Sequence, residues 1–298
     1  MTEATHWEIG AVKITCIVEV SWGFPPGILS TGLTAERVKK IEWLRPHYAG
    51  EDGTLFLNVQ AFVLESQGKK FVVDTCIGND KRRSTPSYNM LALPFLEQLN
   101  EAGHPVESID YVLCTHLHIE HIGWNTRCDG KDWIPTFLNA RYLFSRIDWE
   151  DFSHMVDRPE FADSLLPIAE AGLHRLVDAN HIITEEILLF LTPGHTPSHA
   201  SVAIRSQGKE AVIRDLAHSP IQFADPEICT NFDFDRKMAL ETRKKRLKKA
   251  CIRIVLLNIT YADRRFDVRD ERSIHGGSAH YDCSWFLSWP GNRFGSPR

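Results

Sequence analysis

Between Thr115 and His121 the chain reads Thr-His-Leu-His-Ile-Glu-His, which gathers His116, His118, Glu120 and His121 into six consecutive positions. Imidazole nitrogens and carboxylate oxygens are the donors that Zn²⁺ accepts, so this cluster points to a metal site. His116 and His118, two apart on an extended segment, project to one side and can chelate a single ion. Glu120 and His121 lie on the turn that follows and can reach a second. The apolar run 109–114 reads as a buried strand, so these donors emerge at a strand's C-terminal end, where open α/β sheets place ligands.

Two later segments repeat that placement. Thr192-Pro193-Gly194-His195-Thr196-Pro197-Ser198-His199 follows the apolar run 187–191, and its Pro and Gly fix a tight loop presenting His195. Ala211-Val212-Ile213-Arg214-Asp215 ends another apolar run in Asp215. Three histidines closed by a carboxylate make a Zn²⁺-type ligand set, and Fe or Mn accept the same donors. Bound Zn²⁺ lowers the pKa of its water to about 7 and polarises a carbonyl or phosphoryl oxygen, so the expected chemistry is hydrolysis by a metal-bound hydroxide. Glu120 or Asp215 would hold the water proton and pass it to the leaving group.

The elements that must position these residues alternate along the chain. Strands are expected over 11–20, 57–66 and 70–74, the last two joined at Gln67-Gly68, then a helix over 91–102 and the strand 109–114. The second half is expected to repeat the plan. It has a strand over 141–145, helices over 148–152 and 161–172, strands over 187–192, 199–204 and 211–213, a helix over 235–250 and a last strand over 252–257. Two such halves packed face to face give an α/β fold, a four-layer αβ/βα sandwich with the site at the edge between the sheets.

Composition excludes several function classes. A chain of 298 residues, 43% hydrophobic and 24% charged, suits a large soluble domain. A net charge of -5 gives no overall attraction to nucleic acid. The one basic run, 243–249, falls on the expected helix 235–250, where Met238, Leu240 and Leu247 would face the core and the cations stay solvated. No apolar stretch approaches a membrane span and the first residues lack a signal-peptide pattern, so no membrane partner is expected and the cytoplasm is the expected compartment. Seven scattered cysteines without a C-x-x-C pair suit reduced thiols.

The order of strand, T-H-x-H-x-E-H-x-G, T-P-G-H-T-P-x-H, and strand ending in Asp resembles the metallo-β-lactamase superfamily over residues from about 10 to 262. The resemblance implies that His116, His118 and His195 hold a first ion, that Glu120 and His121 belong to a second, and that Asp215 bridges them. Asp74, in Val72-Val73-Asp74-Thr75-Cys76-Ile77-Gly78, matches an outer Asp that orients metal-bound histidines. Three departures touch the second ion. Glu120 stands where the family has Asp, Arg214 where it has Gly, and Thr260 where the final strand ends in a histidine. One firm Zn²⁺ site and a weak or empty second site are therefore expected, with His275 or His280 as distant substitutes and Arg214 as a fixed cation in place of the missing ion.

Substrate features are sparser. The connection 21–53 carries Trp22, Phe24, Trp43 and Tyr48, and Trp22 and Phe24 are expected to wall an apolar pocket, with Trp124 at the cleft mouth and Arg214 beside the site. Size, that loop and the segment Asp74 to Asp80 look most like the group of lactonases and methyl-parathion-hydrolase-like phosphotriesterases. A small ester, lactone or phosphotriester is thus the expected substrate, with hydrolytic dehalogenation or a metal-binding protein of little turnover as alternatives. Residues 1–262 read as one domain and 263–298 as an atypical tail, either disordered or a homodimer arm.

Overall fold

The computed structural model describes residues 4–154, 157–178, 180–248 and 254–257. Thr260, His275, His280 and the segment 263–298 lie outside the described residues, as do the side chains of Arg214 and Leu247.

Period-two hydrophobicity builds two sheets. The larger contains β1 (Thr5–Ile9), β2 (Val12–Phe24), β3 (Leu55–Ser66), β4 (Lys69–Val73) and β5 (Tyr111–Leu113). After a separate hairpin of β6 (Thr126–Cys128) and β7 (Trp133–Pro135), β8 (Arg141–Ser145) and β9 (His174–Val177) extend the same sheet. Pairing is antiparallel from β1 to β4 and parallel from β4 to β9. The second sheet has the order β10 (Ile187–Leu191), β11 (Ala200–Ser206), β12 (Lys209–Arg214), β13 (Ile254–Leu257). Gln67-Gly68 and Gln207-Gly208 close the hairpins with all four residues at positive φ, the conformation of turns that match strand twist.

Alternate residues sort into three cores. Ile14, Cys16, Phe62, Leu64, Phe71, Val73, Leu113 and Leu143 of the first sheet meet Ile187, Leu189, Val202, Ile204, Ala211 and Ile213 of the second. The first sheet's other face, through Val59, Ala61, Val63, Val72, Val112, Tyr142 and Phe144, packs on Phe95, Leu99, Phe161 and Ile168 from helices Phe95–Glu101, Pro159–Ser164 and Leu166–Glu170. Phe190, Ala203 and Val212 line the second sheet's outer face, where the Arg246 guanidinium of helix Arg236–Lys248 sits 4.5 Å above the Phe190 ring. The expected four layers are present.

Several boundaries differ from expectation for identifiable reasons. The halves are unequal, because β8 and β9 join the first sheet by parallel pairing with β5. Helix 91–102 shrinks to Phe95–Glu101 because Pro94 disfavours helical backbone before it. Pro167 has no N–H for the carbonyl of Asp163, so 161–172 divides in two, and that carbonyl accepts from Lys81 Nζ at 3.2 Å instead. β2 outruns its expected end through a bulge between Val18 and Val20. The extra residue, Glu19, shifts the alternation so that Val20, Trp22 and Phe24 continue on the face of Ile17.

The largest correction concerns the basic helix. Arg243 is fully buried, Met238 is 39% exposed, and the inward face runs through Ala239 and Arg243. The Arg243 guanidinium donates from Nε to the carbonyl of Leu216 at 3.1 Å and from Nη1 to those of Pro226 and Ile228 at 2.9 Å each. A chain segment that would otherwise bury unpaired carbonyls is thereby pinned to the helix.

Gly194 is where this helix meets the His195 loop. At φ 132°, its missing Cβ would lie 2.3 Å from the Ala239 backbone. Gly194→Ala is expected to cost on the order of 2–4 kcal/mol of unfolding free energy. Urea unfolding checks this, and a loss below about 0.5 kcal/mol would show that the loop does not depend on the close approach.

Candidate metal centre

The expected donors leave the C-terminal ends of strands and meet between the sheets. His116 and His118 follow β5, Asp74 follows β4, His195 lies in the β10–β11 loop, and Asp215 follows β12. The β11 and β5 ends are stitched by Ala200 N donating to the carbonyl of Thr115 at 2.9 Å.

The nitrogens of the first cluster are His116 Nε2, His118 Nδ1 and His195 Nε2. They lie 3.0 Å (His116 to His118) and 3.1 Å (His118 to His195) apart. A tetrahedral ion with bonds of about 2.0–2.1 Å separates its ligands by roughly 3.3 Å, so the spacing is close to that of a ligand set. Asp215 Oδ2 lies 3.7 Å from His195 Nε2 and 3.5 Å from His121 Nε2. Asp215 is fully buried, and neither of its oxygens has a hydrogen-bond partner; His121 Nε2 has none either. Buried polar atoms are nearly always satisfied, and these orphans converge where a divalent cation would satisfy them together. The donor set therefore fits the metal that the sequence implies.

Outer contacts fix the rings. Asp74 Oδ2 lies 2.8 Å from His121 Nδ1, while the same carboxylate accepts from Thr115 N at 2.7 Å and Thr115 Oγ1 at 2.8 Å. Thr115 Oγ1 in turn lies 3.1 Å from His116 Nδ1. Asp233 Oδ1 approaches His195 Nδ1 at 3.4 Å, and its Oδ2 accepts from Thr230 N at 2.8 Å and lies 3.8 Å from Arg243 Nη2. Each carboxylate holds one imidazole with its other nitrogen turned inward.

Electrostatics favour metal-ready protonation states. Burial and neighbouring imidazoles hold His116 and His118 well below the usual histidine range, leaving them neutral. For Asp215, burial opposes ionisation but the histidines His218, His121 and His195 outweigh it and keep the carboxyl low. Burial likewise opposes the charge on His121, and Asp74 and Asp215 overcome it and raise that group. Metal binding requires deprotonated donors, and most of this set provides them near neutrality.

The remaining expectations fare differently. Glu120, on the short helix Ile119–Ile122, is partly buried and belongs to none of the donor clusters found among the described residues. His121 turns inward from that helix, whereas Glu120 acts on Tyr88, whose phenol is pushed up by burial and then by Glu120, Asp215 and Glu19. Trp124 is not at a cleft mouth: it is 5% exposed, stacks on Phe95 at 5.6 Å, and donates from Nε1 to Glu19 Oε1 at 2.7 Å. Phe24 is buried in the core, and Trp22 is partly buried, edge-on to Tyr88 at 5.5 Å. Arg214 closes β12, with its side chain outside the described residues.

Sequence reasoning missed His218 and Asp233. His218 is 3% exposed, with Nε2 3.3 Å from Asp215 Oδ2 and its ring 4.4 Å from that of His195. Its signal was present as a histidine three residues beyond Asp215 in the same strand-end loop. Asp233 had no local signal, since it lies 38 positions from His195 and meets it only by tertiary contact.

Comparison with known proteins agrees with this geometry. The model of the metallo-beta-lactamase superfamily matches residues 54–246. An N-acyl homoserine lactonase of a Bacillus species is 23% identical over 211 residues, covering 67% of this chain and 78% of the relative. Its counterpart from Bacillus thuringiensis is 22% identical over 210 residues, covering 65% and 78%. Among solved structures, a hydrolase AbOPH of the beta-lactamase superfamily superimposes with TM-score 0.70 at 20% identity, covering 87% of this chain and 90% of that one. AidC, a dizinc quorum-quenching lactonase solved with a product, gives TM-score 0.68 at 19% identity, covering 86% and 90%. The chain belongs to the metallo-beta-lactamase superfamily.

Two outcomes follow from the contacts around the donors. Asp74→Asn is expected to weaken Zn²⁺ affinity roughly 10–100-fold with the fold intact, read by competition with a chromogenic chelator, and unchanged affinity would remove its orienting role. Burial pushes the Asp148 carboxyl up to about 6, against the Ser198 hydroxyl that donates to its Oδ1 at 2.5 Å. An unfolded Asp titrates at about 3.9, so between about pH 4 and 6 the folded state keeps a proton that the unfolded chain has released, and stability falls as pH rises. Asp148→Asn should remove that part of the slope in urea unfolding across this window. The same slope in the variant would contradict the assignment.

Proposed function

We propose that this metallo-beta-lactamase superfamily member is a Zn²⁺-dependent hydrolase that opens a lactone carrying an acyl side chain. The observation that carries the reading is the convergence of His116, His118 and His195 on the buried, unpartnered carboxylate of Asp215. When bound there, the ion supplies an activated water at neutral pH and a Lewis acid for the carbonyl oxygen. The names of the Bacillus relatives, N-acyl homoserine lactonases, support the substrate class.

The chain's own residues perform the rest. His116, His118, His195 and Asp215 would hold the ion, with Asp74 and Asp233 fixing the rings of His121 and His195. Asp215 Oδ1, buried and without a partner, is the atom placed to take a proton from the attacking water and return it to the alkoxide that leaves when the ring opens. The Trp22–Tyr88 pair and the half-exposed Phe232, whose ring lies 6.1 Å from that of His218, supply apolar surface near the centre for an acyl group.

Proton release on ring opening of N-hexanoyl-homoserine lactone tests the reading. Zinc-loaded protein should open the lactone, chelator should abolish the activity, added Zn²⁺ should restore it, and His116→Ala should lower kcat/KM by roughly a thousandfold or more. Turnover of a phosphotriester without lactone opening would overturn the substrate class, and inertness toward both would overturn the hydrolase reading.

A further inference from the structure

We infer that Asp148 is a positioning residue for the His195 imidazole, holding the trailing half of the β10–β11 loop through the Ser198 hydroxyl. This rests on the metal-site reading above and concerns a residue that belongs to none of the donor clusters among the described residues.

Asp148 lies in the first turn of helix Arg146–Ser153, three places after the N-cap Ser145, and is 4% exposed. A carboxylate at that place commonly reaches back to the free N–H groups of its own helix or faces solvent. Asp148 turns inward instead. Its Oδ1 accepts from Ser198 Oγ at 2.5 Å, 50 residues further along the chain, and Ser198 Oγ accepts from Ser145 Oγ at 2.8 Å. Taking a carboxyl out of water is costly, so its place calls for a reason that helix capping does not supply.

The loop that it reaches carries His195. The leading half of that loop is held from the side of helix Arg236–Lys248: Asp235 N donates to the carbonyl of Gly194 at 3.0 Å, Phe234 N donates to that of His195 at 3.1 Å, and Asp233 Oδ1 lies 3.4 Å from His195 Nδ1. The trailing half has less backbone to offer. Pro197 has no N–H, and His199 N reaches the carbonyl of Thr196 at a long 3.5 Å. Ser198 is fully buried, and its side chain fastens this half to the end of β8 and the helix that follows. His195 therefore sits between two supports, one approaching from each sheet's side of the cleft.

The carboxyl is also within electrostatic reach of the ring. Burial raises it first of all, and the Ser198 hydroxyl and a charge on His195 pull it back. A loop released at Ser198 would let His195 Nε2 drift from its place 3.1 Å from His118 Nδ1, and a metal ligand set tolerates little such drift.

The test titrates metal-stripped full-length protein with Co²⁺ alone, whose visible bands report coordination geometry, and then displaces it with Zn²⁺. Wild type is compared with Asp148→Ala, Ser198→Ala, Asp148→Asn and the double alanine variant, with far-UV circular dichroism confirming that each is folded. Asp148→Ala and Ser198→Ala should each weaken Zn²⁺ binding roughly tenfold and shift the Co²⁺ bands. The double variant should lose no more than either alone, because both cuts break one link. Asp148→Asn keeps an oxygen that can accept from Ser198 Oγ, and should stay within about threefold of wild type with the wild-type spectrum. Should Asp148→Ala fail to fold, Ser198→Ala decides by the same two readouts. Folded alanine variants with bands and affinity unmoved would overturn the inference, as would an asparagine variant as damaged as the alanine one, or single losses that multiply in the double variant. A wild type that binds neither ion would sink the metal-site reading itself.

Discussion

The ring nitrogens of His116, His118, His121 and His195 crowd around the two carboxylate oxygens of Asp215, and the few ring protons cannot satisfy them all. Everything around the centre of this protein depends on how that is tolerated. His118 Nδ1 faces two other ring nitrogens at about hydrogen-bond distance and can carry one proton at most, so it cannot satisfy both. Asp215 sits beyond them with both oxygens unmet. Such an arrangement in a dry interior opposes folding unless a cation enters it, and this couples metal binding to the stability of the sheet ends that carry the donors.

The fold meets the demand by fixing the donors from behind. Asp74, at positive φ directly after β4, gathers Thr115 and His121 and so locks the start and end of the histidine motif in one contact. Asp233 does the same for His195, and Arg243 organises the segment that carries His218 and leads to Asp233. Glu19 secures the neighbouring loop by accepting from Ile77 N at 2.8 Å, Gly78 N at 3.0 Å and Trp124 Nε1 at 2.7 Å. Four charged residues from four separate parts of the chain thus act as anchors for loops that have little regular structure of their own.

Much of this was legible in the sequence because the relevant signals are local. Apolar runs mark β3, β4, β8 and β10 to within one or two residues, since each strand buries both faces, whereas the expected 199–204 and 211–213 stop short of the polar ends of β11 and β12 at Ser206 and Lys209. The strand-end placement of His116, His118, His195 and Asp215 follows from the apolar runs before them. What stayed hidden depends on tertiary contact. Every even position from Val12 to Phe24 is apolar, so the alternation runs on unbroken across the bulge at Glu19 and conceals the change of face there. Arg243 sits in a run of cations indistinguishable from a solvated helix face, and only the carbonyls brought to it by residues 216–228 make burial favourable. Trp124 beside a metal motif looks like a substrate contact until Phe95 and Glu19 are found to enclose it. Glu120 looks like a ligand by spacing, yet on the short helix Ile119–Ile122 it is partly exposed and belongs to none of the donor clusters among the described residues, whereas His121 is buried.

The central claim is that His116, His118, His195 and Asp215 together hold a metal ion. Crystals of zinc-loaded protein, measured on both sides of the zinc absorption edge, test it most directly. The account predicts an anomalous peak with nitrogen ligands from all three histidines at about 2.0–2.1 Å and Asp215 completing the set. A structure in which the three rings hydrogen-bond to water, with the anomalous signal absent or lying elsewhere on the protein, would contradict it.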